Sequence, residues 1–70
     1  MKTYTDCELA RKEAEQRAKR TKSLYSVCFR CWDGNKRIRE WVVVKVSSWY
    51  IERGFYENEV ALYGGKGKIR

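Results

Sequence analysis

The chain has no histidine and no proline among its seventy residues, and only twelve Leu, Ile and Val with four Ala. Without histidine the commonest general base is missing, and no Ser or Cys has an obvious partner to activate it as a nucleophile. We therefore expect no enzyme. The lack of proline argues against a flexible interdomain linker. The scarcity of aliphatic residues would leave so charged a chain close to disorder, were it not for ten aromatics that include three Trp and five Tyr. No apolar run approaches the roughly 20 residues of a membrane span. The start Met1-Lys2-Thr3-Tyr4-Thr5-Asp6 has no apolar export segment, so the cytoplasm is the expected location.

Three cysteines are too few and too odd in number for a disulfide framework. Cys28 and Cys31 have the spacing of half a zinc site, but only Cys7 could add a third thiolate, and tetrahedral zinc needs four ligands. Residues i and i+3 of a strand also point to opposite faces. Free thiols and no cofactor are expected.

What is present is positive charge. Sixteen Lys and Arg against nine Asp and Glu give a formal charge of +7, which favours an anionic partner.

The first segment reads as a helix. Thr5 and Glu8 form a capping box, Tyr4 and Leu9 a hydrophobic staple, and strong helix formers run from Asp6 to about Lys22. Glu8/Lys12, Glu13/Arg17 and Glu15/Lys19 place an acid four residues before a base. Cys7, Ala10, Ala14, Ala18 and Thr21 form the stripe expected to be buried, small enough to lie close against a sheet.

From Leu24 to Trp32 the period changes to two, Asp33-Gly34 supplies a hairpin turn, and a second strand follows from about Lys36 to Val46. Its Val42-Val43-Val44 run reads as the middle of a sheet. Residues 47–54 admit either a short helical turn capped by Ser48 and ended by Gly54, or an extended path through Trp49-Tyr50-Ile51 to a turn at Arg53-Gly54. Phe55 to Tyr63 reads as a third, edge strand, whose Glu57 and Glu59 are a solvated pair rather than catalytic carboxylates. The expected fold is α+β, one N-terminal helix on a three-stranded antiparallel meander, as a single domain over 1–63. A basic, glycine-rich tail over 64–70 lacks the spacing of a phosphate-binding loop and should be mobile.

A two-residue Asp33-Gly34 turn pairs Trp32 with Asn35, Arg30 with Arg37, Cys28 with Arg39, Ser26 with Trp41 and Leu24 with Val43. One face then collects Arg30, Trp32, Arg37, Arg39 and Trp41, with Lys45 further along and Lys66 and Lys68 in the tail. The other face, Tyr25, Val27, Phe29, Ile38, Val42, Val44 and Val46, suits the Ala stripe, with Glu40 as its misfit. Arginines facing each other call for an anion, and Trp rings offer stacking surfaces for bases. The expected function is nucleic-acid binding through these residues. The alternative is a protein-interaction module, a homodimer or an inhibitor, centred on Trp32, Trp41 and Val43 with an arginine rim.

Over Tyr25 to Val46, the aromatic-rich strand, Asp-Gly-Asn turn and basic second strand resemble the hairpin of the three-stranded DNA-binding domains of phage integrases. Those domains place their helix after the sheet, whereas here it comes first. Size and charge also resemble small accessory proteins of phages and mobile elements.

Overall fold

A computed structural model describes residues 2–70 apart from Ser48, Trp49, Ile51 and Arg53, and apart from the side chains of Trp32, Asp33, Phe55 and Tyr56. Its elements in order are strand β1 (Thr3–Tyr4), helix α1 (Cys7–Thr21), strands β2 (Tyr25–Asp33) and β3 (Lys36–Lys45), a 3₁₀ turn (Phe55–Asn58), and strands β4 (Glu59–Gly64) and β5 (Gly67–Lys68). The class is α+β, with an antiparallel sheet in the order β1-β3-β2-β4-β5. Among the described residues no helix is long and apolar enough to cross a membrane.

The helix starts one residue later than a Thr5 capping box requires. Asp6 is the N-cap, its Oδ1 accepting from the Glu8 amide at 2.9 Å and so satisfying one of the free N–H groups of the first turn. Leu9 is 54% exposed and makes no staple, since Tyr4 is held in β1 opposite Trp41 instead. Glu13–Arg17 and Glu15–Lys19 pair at 2.6 and 3.3 Å, while Glu8 turns to Arg11 at 4.0 Å rather than to Lys12. Ala10, Ala14 and Ala18 have no exposed surface. Cys7 at the start of the stripe is half-buried, and Thr21 at its end is exposed, its hydroxyl donating to the Arg17 carbonyl. Lys22 closes the helix in the left-handed region at φ +61°, its N–H bonded to the Ala18 carbonyl.

With only methyl groups on its inner face, α1 lies close enough to touch every strand. It packs on Val27, Val43, Ala61 and Tyr63, with Tyr4, Tyr25 and Trp41 at the margin. The opposite face of the sheet holds a second cluster, Cys28, Val42, Val44 and Tyr50, flanked by Val46.

The sheet is not a three-stranded meander. After β3, Tyr50 is buried on the second face, and β4 joins β2 on the side away from β3. The Phe55–Asn58 stretch expected to open the third strand is a 3₁₀ turn. β4 is interior, between β2 and β5, because the tail returns along it. Gly64 pairs with Gly67 and Tyr63 with Lys68, and Ile69 and Arg70 bond to Leu62. The tail expected to hang free is therefore a hydrogen-bonded edge. A Cβ at Gly64 would press on the ends of the Ile69 and Leu24 side chains, at 3.0 and 3.3 Å. The Ser48 cap, the extended path through Trp49 and Ile51, and the Arg53 turn fall outside the described residues.

Candidate nucleic-acid interface

The hairpin turns at Gly34-Asn35, one residue beyond the Asp33-Gly34 expectation, with Asp33 opposite Lys36 and Trp32 opposite Arg37. Gly34 supplies the positive φ, +61°, at the first central position, where a two-residue turn can demand it. Further in, the register shifts between Arg30 and Trp32, and Arg30 faces Glu40. Cys31 thus lies opposite two residues, Ile38 and Arg39. This is a β-bulge on β3, a device that bends a strand and increases its twist.

The bulge rearranges the expected face. Inward of it, Phe29 stands opposite Trp41, Val27 opposite Val43 and Tyr25 opposite Lys45, and this is the helix side of the sheet. Cys28 opposite Val42 and Arg30 opposite Glu40 occupy the far side, which removes Glu40 from the helix face where it was a misfit. Outward of the bulge, Arg37 falls in the row of position 32, on the same side as Arg30. The expected pairs Arg30 with Arg37, Cys28 with Arg39 and Ser26 with Trp41 do not occur. A one-residue slip moves side chains to the opposite face.

Arg39 and Trp41 remain together, the guanidinium carbon 5.6 Å from the indole centroid, a cation–π contact worth about 0.5–1 kcal/mol at an exposed site. Trp41 is half-buried and leans on Phe29, with ring centroids 5.3 Å apart and planes at 52°. Between Phe29, Arg39 and the helix it is a support for the arginine rather than an open stacking platform. Lys2 sits 5.3 Å over the Tyr4 ring on the neighbouring strand. Arg30 lies 3.8 Å from Glu40. Lys36 and Arg37 are exposed near the turn. The side chain of Trp32 lies outside the described residues.

Beyond Trp41 and Phe29 the hairpin leaves the sheet. β1 pairs with β3 only at Val42 and Trp41, and β4 pairs with β2 only from Tyr25 to Cys28. The Phe55–Asn58 turn lies against β2, and among the described residues positions 30–33 and 36–40 pair as strand only with each other. They form a two-stranded ribbon roughly 13–16 Å long at about 3.3 Å per residue. Lys45, Lys66 and Lys68 are exposed at the other end of the molecule. Lys45 closes β3, Lys66 sits in the β4–β5 turn, and Lys68 is on the far edge strand. The expected single surface is two surfaces. Sequence reasoning missed Lys36 as part of the ribbon, although its place beside the turn marked it, and missed Lys2, which only the short β1 brings near.

A separate polar cluster lies on the far side of the sheet. Tyr50 donates to Glu59 Oε2, Arg70 Nε donates to Glu59 Oε1 at 3.3 Å, and Ser26 Oγ lies 3.3 Å from Cys28 Sγ. Burial, with the bond to Glu59, pushes the Tyr50 phenol up to about 12, and burial also pushes the Cys28 thiol up. A thiol 1% exposed and held protonated is a packing group rather than a nucleophile. Cys28 and Cys31 lie on opposite faces. Among the described residues no three His, Cys, Asp or Glu side chains gather as a metal site would require. No protein-family model, curated protein or solved structure matches this chain.

Proposed function

We propose that the chain is a small, non-enzymatic nucleic-acid-binding protein whose β2–β3 ribbon enters a groove of a duplex and contacts its phosphates. The observation that supports this is the ribbon itself, which pairs with no third strand among the described residues and carries cations on both sides. Arg39, on Trp41, and Lys36 belong to the helix side, and Arg37 to the other, where Arg30 is already paired with Glu40. A two-stranded ribbon fits the B-form major groove, which is about 12 Å wide and 8.5 Å deep. Cations on both of its faces would meet the phosphates of both groove walls. Base stacking on Trp41 contributes little to this reading, because both the ring's neighbours and the helix crowd it. A protein interface centred on Val43 has less to stand on, since Val43 is buried beneath α1.

Anisotropy of a labelled duplex of about 20 base pairs at about 50 mM salt, where exposed charges are weakly screened, tests the proposal. Arg37→Glu with Arg39→Glu is expected to weaken binding at least about tenfold, and Lys12→Glu on the outer face of α1 to change it less than about threefold. Equal binding by wild type and the ribbon variant would reject the proposal.

A further inference from the structure

The ends of the strands opposite the ribbon tip carry a second basic surface. The last turn of α1, the C-terminal end of β3 and the β4–β5 turn meet there. Arg20, Lys22, Lys45, Lys66 and Lys68 are all exposed, and residues 19–24, 45–47 and 64–70 contain no Asp or Glu. The pairings hold the group together. Lys45, Tyr25, Tyr63 and Lys68 form one row across β3, β2, β4 and β5, about 14 Å wide at the ordinary strand spacing. The Val46 amide bonds to the Leu24 carbonyl at 2.9 Å. A Cβ placed on Gly65 would be 3.6 Å from Lys22 Cδ, so the stem of Lys22 lies along the glycine turn. Some of this charge offsets the negative end of the helix. Lys45 and Lys68, on β3 and β5, extend the surface beyond the helix end.

A duplex that takes the ribbon tip into its groove faces away from this second surface, which lies at the opposite end of β3. Arg37 and Lys45 are eight residues apart on β3, roughly 26 Å, in a molecule 38 Å long. The sheet between them is covered on one face by α1, about 10 Å thick, and on the other by Tyr50. We infer that this second surface binds the phosphate backbone of another nucleic-acid segment, so that one monomer bridges two duplexes. The inference rests on the ribbon reading and extends it from binding to bridging.

Two duplexes of about 20 base pairs, one carrying a donor dye and the other an acceptor, are mixed with the full chain at about 50 mM salt. Wild type is expected to bind and to produce energy transfer. Lys66→Glu with Lys68→Glu is expected to remove most of the transfer while anisotropy still reports a one-duplex complex through the ribbon. Arg20→Glu, on a different element, is expected to lower the transfer in the same direction, and circular dichroism confirms that each variant is folded. Binding by wild type without transfer would overturn bridging and leave the ribbon reading standing. Transfer undiminished in both base variants would also overturn it, since the second duplex would then be held elsewhere. Absence of any binding by wild type would overturn both readings.

Discussion

Arg30 and Glu40 stand directly opposite each other on β2 and β3, Nη1 to Oε2 at 3.8 Å. An uninterrupted ladder from an Asp33-Gly34 turn would have set Arg30 against Arg37. The bulge at Ile38-Arg39 replaces a like-charge row with an opposite-charge one and sends the arginines to both sides of the ribbon. With side chains 36% and 29% exposed, the pair contributes little to stability. Glu40→Gln is expected to cost about 0.2–1 kcal/mol in urea unfolding. Removing a negative charge from the ribbon should tighten duplex binding, by about two- to fivefold at low salt.

The flush contact of α1 with the sheet depends on alanine. Ala14 has no exposed surface, so Ala14→Leu must lift the helix or distort the sheet, at a cost of about 1–3 kcal/mol or more. Leu9→Ala, at an exposed position without a staple partner, should stay within about 0.5 kcal/mol of wild type. Thermal melts of the two variants distinguish these outcomes.

Tyr50 ties the chain between β3 and β4 to Glu59, which Arg70 also holds. Tyr50→Phe leaves a carboxylate only 7% exposed without that donor, and a loss of about 1–3 kcal/mol is expected at neutral pH. The bond also has a pH signature. The phenol ionises near 10 in the unfolded chain but is pushed up to about 12 in the fold by burial and by Glu59. Its contribution is complete below about 10 and is lost as pH rises toward 12. The stability difference between wild type and Tyr50→Phe in urea should shrink over that window, and a difference constant up to pH 12 would contradict the assignment.

The parts of the fold that were legible in the sequence are those fixed by local periodicity. Ala10, Ala14 and Ala18 repeat at helical spacing and are the buried stripe, and the two alternating runs around Asp33-Gly34-Asn35 are β2 and β3. What was not legible depends on contacts distant in sequence. Thr3-Tyr4 is too short for a strand pattern and becomes one only by pairing with Val42 and Trp41. The tail is polar and glycine-rich, yet Tyr63 and Leu62 give it a paired edge. The bulge decided most about the candidate site. Nothing in Arg37-Ile38-Arg39 signals an extra residue, yet it moves Trp41 under the helix and separates Arg37 from Arg39.

The slope of log affinity against log salt for the ribbon on a duplex tests the central claim most directly. Each phosphate contact contributes about −0.9 to that slope. Replacing Arg37 and Arg39 together by Ala should therefore make it shallower by roughly 1.8, whereas Lys12→Ala should leave it unchanged. Identical slopes for wild type and the Arg37/Arg39 variant would contradict the account, because the two arginines would then make no phosphate contact.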